Sequence, residues 1–186
     1  VLSFSQKIES YCKKNCINYL QLQYFEKPQK IETKVNFPYN ILFWNRGDIK
    51  IEDWIEIFNP SDINKIYYIE TPDPGKSTEN INQKLLNQYK IKIIKREFRK
   101  DKNEFLDYLK KVDIFVAPRK KEGIGLPVVE AISYGKYIIG FNDSTMNEYI
   151  FDNKIGKLFQ NSKIKIDKND LINFSKYRLD NAEKKF

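Results

Sequence analysis

Histidine does not occur in this chain of 186 residues, and cysteine occurs only twice. Without histidine there is no Ser-His-Asp arrangement and no imidazole general base within the chain. Cys12 and Cys16 are four positions apart, which places both on one face of a helix. A zinc site needs further ligands, and none is evident beside them. A disulfide between neighbours on a regular helix is geometrically poor. Both cysteines are therefore read as reduced, partly buried thiols. No segment approaches the ~18 continuous apolar residues that a membrane span requires. No secretory signal is visible either.

What is present fits one folded domain. Hydrophobic residues make up 41%, too many for a disordered tail. The formal net charge is +8 and the pI is near 9.2. Nucleic-acid binding is the usual inference from such values. Here the lysines are scattered and interleaved with acids, as in Lys100-Asp-Lys-Asn-Glu104, so nucleic acid is not expected as a partner. A basic face would suit a diphosphate ligand or an anionic membrane surface.

Apolar runs alternate with amphipathic segments along most of the chain. Ile41–Asn45, Lys65–Glu70, Ile91–Lys95, Asp113–Ala117 and Tyr137–Phe141 are short and nearly continuous in apolar character. Strands buried on both faces of a parallel sheet read this way. Helices are expected over Ile51–Phe58, Glu79–Tyr89, Asn103–Lys111 and Pro127–Tyr134. In the third, Phe105, Leu106 and Leu109 form one stripe while Asp107 and Lys110 face outward. The expected fold class is α/β, a Rossmann-like, doubly wound, mainly parallel sheet with flanking helices. Ligands of such sheets bind beyond the carboxyl ends of the strands. Residues 36–165 form this domain. Residues 1–35 fall outside the repeat: Phe4–Leu22 reads as a helix with Ile8, Tyr11, Cys12 and Ile17 in its stripe, followed by a connector. That piece is either a link to another domain or a helix packed on this one. Residues 166–186 read as a C-terminal helix carrying Leu171, Phe174 and Leu179.

The stretch Glu122-Gly-Ile-Gly-Leu-Pro-Val-Val-Glu130 carries the chemistry. It joins a strand to a helix start through a glycine loop, with a carboxylate before the loop and another in the expected first helical turn. Gly123 and Gly125 let a ligand approach the backbone. Helix N-terminal N–H groups favour anions. Pro127 suits the first helical position, where no N–H is required. A different segment, Thr71-Pro-Asp-Pro-Gly75-Lys76-Ser77-Thr78, imitates a Walker A loop. Its first position would have to be glycine, but Glu70 stands there, so it is read as a turn.

Seven residues separate Glu122 from Glu130, and this spacing around Gly-x-Gly-Leu-Pro resembles the E-x7-E signature of retaining GT-B glycosyltransferases of family 4. The resemblance continues in Ile41-Leu-Phe-Trp-Asn-Arg46-Gly, Ile138-Ile-Gly-Phe-Asn142, Met146-Asn-Glu148-Tyr-Ile150 and Ile155-Gly156-Lys-Leu-Phe159, and covers roughly residues 40 to 160. It departs from the family pattern in three places. Asn45 stands where glycine is usual, Lys50 lies four rather than five positions after Arg46, and Ser144-Thr145 replace a glycine pair.

The resemblance implies one half of a GT-B fold, the C-terminal, donor-binding half. The N-terminal acceptor-binding domain is then expected to be missing from this chain, which starts at Val1 and has room for one domain. The implied substrate is a nucleotide-diphosphate sugar, and the implied product a sugar joined with retention to a bacterial-type or lipid-linked glycan. Glu122 would face the donor sugar, while Arg46 and Lys50 would take the charge of the leaving diphosphate. Gly123, Ile124, Gly125, Leu126 and Pro127 would line the phosphates, Glu130 would bind the ribose hydroxyls, and the region of Glu97 and Phe98 would meet the base. A metal is not expected, since no Asp-x-Asp motif occurs, and no cofactor is implied. Plainer readings stand beside these: Arg46 as a surface partner of Asp48, Glu122 as an exposed loop acid, Glu148 as a helix-surface acid. The expected location is cytoplasmic, with room for peripheral contact on the inner face of the membrane. The alternative function is a non-catalytic interaction module that keeps the fold.

Overall fold

The structure, a computed structural model, describes residues 1–29, 37–95, 102–143, 145–150, 152–160, 165–166 and 168–181. Its centre is a six-stranded parallel sheet. The strands are β3 (Tyr39–Asn45), β4 (Ile63–Glu70), β5 (Ile91–Lys95), β6 (Ile114–Val116), β7 (Tyr137–Phe141) and β8 (Gly156–Phe159), in the order β5-β4-β3-β6-β7-β8. From β3 the chain winds outward through β4 and β5, then returns to the other side of β3 and winds through β6, β7 and β8. That reversal makes the sheet doubly wound, as the alternation of segments implies.

Side-chain alternation along β3 divides the core. Tyr39, Ile41 and Phe43 enter one layer with Trp54, Tyr68, Leu171 and Phe174. Leu42 enters the other with Phe105, Leu109, Phe115, Val128 and Val129. The first layer is covered by short 3-10 turns after β3, by α2 (Gln83–Gln88) and by α6 (Lys168–Asn181). The second is covered by α3 (Lys102–Lys110), α4 (Leu126–Ser133) and α5 (Met146–Tyr149). In α3 the expected stripe holds: Phe105 and Leu109 are buried, Leu106 packs against the core, and exposed Asp107 and Lys110 pair at 2.9 Å. No described helix is long and apolar enough to cross a membrane.

Three expected helices differ. Glu79–Tyr89 is helical only over Gln83–Gln88, where the Asn82 side chain caps the start by accepting from the Lys84 amide. Ile51–Phe58 is not an α-helix but two 3-10 turns, Ile51–Asp53 and Ile55–Ile57. Ile51, Trp54 and Ile57 recur every third residue, and all are buried. Ile55 and Phe58 are buried too, so the burial pattern alone fits a helix as well, and the 3-10 turns are defined by the bonds of Trp54 to Ile51 and of Phe58 to Ile55. Phe4–Leu22 is not one helix either. Its core, α1 (Gln6–Lys14), connects β1 (Leu2–Ser3) to β2 (Leu20–Gln21), and these two strands pair in parallel. Ser5 caps the helix by accepting from the Ile8 amide, and Cys16 at φ 53° lies past its end. The expected apolar stripe is buried only at Cys12. Ile8, Tyr11 and Ile17 are exposed, and the two thiols are free.

This N-terminal unit is fastened to the main body. The Gln6 amide donates to Glu148 at 2.9 Å, so Glu148 serves as an anchor for the start of α1. The Tyr149 hydroxyl donates to the Tyr24 carbonyl at 2.9 Å, and the Gln29 amide donates to the Ser133 carbonyl at 2.9 Å. At the other end of the chain, Leu171 and Phe174 of α6 are buried in the core, with Phe174 edge-on to Tyr137. Leu179 falls among side chains outside the described set.

Candidate active site

The winding direction reverses between β3 and β6, and the loops leaving these two strands meet there. β3 ends in Asn45 and is followed by Arg46-Gly47-Asp48. β6 is followed by Ala117-Pro118-Arg119-Lys120-Lys121-Glu122. The Lys120 amide donates to Asp48 at 2.8 Å, stitching the loops together. A crevice at such a reversal is where ligands of doubly wound sheets bind.

Four charges converge in it. Arg46, with its side chain only 7% exposed, directs Nε and Nη2 at Asp73, the Nε contact being 2.9 Å. Arg119 pairs with the same carboxylate through Nε and Nη2, both at 2.8 Å. Its Nη1 donates to both oxygens of Glu122 at 3.2 Å. The Arg46 guanidinium also lies 5.0 Å from the centre of the Trp44 ring. The Arg119 hydrogen bond, with that of Arg46, holds the Asp73 carboxyl below its ordinary range. Burial pushes the Glu122 carboxyl up, against the pull of Arg119. The reading of Arg46 as an exposed partner of Asp48 is thus corrected: it is buried and bonded to Asp73, while Asp48 faces Lys76 at 3.9 Å and the Lys120 amide. Glu122 is not a fully exposed loop acid either.

The glycine loop follows. Gly125 precedes α4 with φ 71°, a left-handed conformation that favours glycine; a Cβ there would lie 2.8 Å from the Met146 Cε, the end of a side chain that can turn aside. Gly123 is exposed with open space around its Cα, and Ile124 is half-buried. α4 starts at Leu126, so Pro127 is its second residue and Glu130 its fifth. Glu130 therefore lies on the second turn, not the first as expected. One turn is 3.6 residues, so Glu130 shares a face with Leu126, which is 48% exposed beside the loop. Lys50 is exposed and, among the described residues, its ammonium pairs with no carboxylate; its amide donates to the Asp53 carboxylate at 2.9 Å and its carbonyl accepts from the Asp53 amide at 3.1 Å. The structure does not bring its ammonium to the Arg46 cluster. Glu97 and Phe98 lie outside the described residues.

The departures from the family pattern acquire physical reasons. Asn45 is buried, and its Oδ1 accepts from the Gly47 amide at 2.5 Å, fixing the turn that follows β3. Its Nδ2 reaches Tyr68 and Glu79. Thr145 is fully buried at φ 78°, a conformation costly for a β-branched residue and easy for glycine. Its hydroxyl donates to the carbonyls of Glu122 at 2.7 Å and Gly123 at 3.1 Å, so the strain accompanies a tie that positions the glycine loop.

The pattern of motifs missed Asp73, Arg119, Thr145 and Glu79. Asp73 lay within the turn set aside as a false phosphate loop; its carbonyl accepts from the Lys76 amide at 2.9 Å, which closes that turn. Glu79 fills another anion position. It accepts from the Ile51 amide at 3.0 Å and from the Tyr68 hydroxyl at 2.7 Å, so the first turn after β3 is capped by the chain's own carboxylate. Burial raises the Glu79 carboxyl above its ordinary value of 4.5. Between that value and its raised one, the folded state holds a proton that the unfolded state has lost, so the stability due to Glu79 falls as pH rises. Urea unfolding from pH 4 to 7 should show wild type losing stability relative to Glu79→Gln with rising pH. A gap between the two that widens in favour of wild type would contradict this.

Sheet order defines a doubly wound, Rossmann-like α/β domain with a cluster of charges at its winding reversal, and comparison with known proteins gives its family. Residues 74–177 match the family described as "Glycosyl transferases group 1". The chain belongs to that family. No curated protein sequence matches it. Among solved structures it resembles sucrose-phosphate synthase from Thermosynechococcus elongatus, with TM-score 0.57 and 16% identity over 97% of this chain and 49% of that one. It also resembles a chain of the GtfA/B complex, with TM-score 0.57 and 15% identity over 99% of this chain and 38% of that one. The chain thus spans about half the length of the first and less of the second. At such identities the likeness concerns the fold, and it agrees with the GT-B half expected from the glutamate signature.

Proposed function

We propose that this chain is the donor-binding part of a retaining glycosyltransferase that uses a nucleotide-diphosphate sugar. The observation that carries the reading is the meeting of Arg46, the Glu122 carboxylate and the Gly123–Gly125 loop at the winding reversal. As the glycosidic bond to the diphosphate breaks, negative charge grows on the phosphate oxygens and positive charge on the anomeric carbon. Arg46 and the start of α4 would stabilise the first. Glu122, held by Arg119, would stand beside the sugar. Glu130, on the face of α4 nearest the loop, would accept hydrogen bonds from ribose hydroxyls. In this reading guanidinium charge does the work that metal ions do elsewhere, and no cofactor enters. Among the described residues, no group of three or more His, Cys, Asp or Glu side chains is placed to hold a metal ion.

The acceptor, a bacterial-type or lipid-linked glycan, would be held by an N-terminal domain that is not part of this chain. The chain alone should therefore bind nucleotide-sugar and transfer little. A cytoplasmic site of action, with peripheral contact to anionic lipid, suits the basic balance of the chain.

Calorimetric titration with UDP, GDP, ADP and CMP, then their sugar conjugates, tests the proposal. One nucleotide should bind selectively, and Glu130→Ala should weaken it roughly 10- to 100-fold, the worth of hydrogen bonds to a charged group. Absence of binding to every nucleotide would favour a non-catalytic interaction module instead.

A further inference from the structure

The donor reading uses Arg119 only to hold Glu122 and gives Asp73 no part, yet the two organise its centre. Asp73 receives the Nε and Nη2 hydrogens of two guanidinium groups at once. Two planar forks converging on one small anion is how paired arginines hold a phosphate group. With Glu122, the cluster contains two cations and two carboxylates, so as it stands it offers little net attraction to a further anion. Access is uneven. The Arg46 side chain is 7% exposed, that of Arg119 31% and that of Asp73 23%, so Arg119 and Asp73 form the side of the cluster open to solvent. The segment that bears Asp73 is also exposed from Pro74 through Thr78.

We propose that Asp73 is a built-in competitor for the donor's diphosphate, and that Arg119 is a second phosphate-binding guanidinium released when the diphosphate takes Asp73's place. The inference rests on the donor-site reading and deepens it. Exchange of one anion for another keeps both forks satisfied throughout, so no buried guanidinium is left without a partner. The Asp73 backbone need not move: its amide stays on the Arg46 carbonyl at 3.0 Å while the side chain turns away. The Arg119 contact to Glu122 uses a different nitrogen, Nη1, and can persist with ligand bound. Phosphate capture and the placing of Glu122 would then be joined through one side chain.

Inorganic pyrophosphate tests this without knowledge of the base. The full chain, Asp73→Asn, Arg119→Gln and Glu130→Ala are titrated calorimetrically at low ionic strength, with circular dichroism to verify folding. Asp73→Asn should bind pyrophosphate roughly tenfold tighter or more than wild type, as loss of a charge-assisted competitor implies. Arg119→Gln should bind it roughly tenfold weaker, and Asp73→Asn should bring little gain in that background. Glu130→Ala should leave pyrophosphate unaffected. Unchanged or weaker pyrophosphate binding by folded Asp73→Asn would overturn the proposal. If that variant does not fold, unchanged binding by Arg119→Gln would overturn it equally. Nucleotide binding that depends on Glu130, beside pyrophosphate binding indifferent to Asp73 and Arg119, would sink this inference alone. Failure of wild type and Asp73→Asn to bind either probe would sink both.

Discussion

Alanine at position 156 should cost this domain about 3 kcal/mol or more of unfolding free energy. Gly156 opens β8 and pairs with Ile138 of β7. A Cβ built on it would lie 2.2 Å from the Ile138 carbonyl oxygen and 2.9 Å from its carbonyl carbon. These are backbone atoms of a buried strand, so no side chain can rotate away to make room. Relief requires β8 to shift, which strains the pairs Ile139–Lys157, Gly140–Leu158 and Phe141–Phe159 and pulls Phe159 from the core. Gly123→Ala is the control, because nothing lies within 4 Å of a Cβ there. Urea denaturation of both variants decides the matter. A Gly156→Ala chain as stable as wild type would mean that β8 moves freely and that the sheet ends at β7.

Much of the fold was legible because burial on both faces leaves a plain mark. Tyr137–Phe141 has the expected bounds, since an interior parallel strand is apolar from end to end and polar residues delimit it. Ile91–Lys95 has them too, but as the edge strand of the sheet: it is half-buried to exposed, not covered on both faces as expected. The segment after β3 was not legible. Ile51, Trp54, Ile55 and Phe58 have the spacing of a helical stripe and all are buried, so the apolar pattern does not tell two 3-10 turns from an α-helix there. At the N-terminus, Phe4–Leu22 resembled one helix because Ile8, Tyr11, Cys12 and Ile17 have helical spacing, yet three of these four side chains face solvent. The stripe there indicates a face, not its burial.

The same division runs through the site. The glycine loop was readable because Gly125 sits where a side chain would meet both a left-handed backbone and Met146. Arg119 and Asp73 were not, because 46 positions separate them and neither belongs to a spacing motif. Their meeting follows from the strand order: β4 and β6 flank β3, so the loop after each reaches over the end of β3. Knowledge of that order from sequence would have turned Asp73 from a turn residue into a neighbour of Arg46. The match to the family model begins at residue 74, so Arg46, read from the sequence resemblance, and Asp73, found in the structure, both lie outside it.

Arg46→Gln should therefore do more damage than any other single change at the site. In the proposed donor site it would remove a bidentate, charge-assisted donor to phosphate, and truncating one partner of a buried charge pair costs roughly 2–5 kcal/mol in binding. Nucleoside diphosphate affinity should fall on the order of 30- to 4,000-fold. It also leaves Asp73 and Glu122 with Arg119 as their shared guanidinium, so the folded chain should lose stability as well. Arg46→Lys separates the two effects. An ammonium keeps the charge that balances Asp73 but cannot reproduce the fork, nor the stacking on Trp44 in the same form. Lysine should restore most of the lost stability, read by urea denaturation, and little of the lost affinity, read by calorimetry. If lysine restores affinity in full, Arg46 acts as a point charge and the planar clamp is the wrong description. If both variants bind as wild type does, the diphosphate is held elsewhere, and the crevice between β3 and β6 loses its claim to the donor.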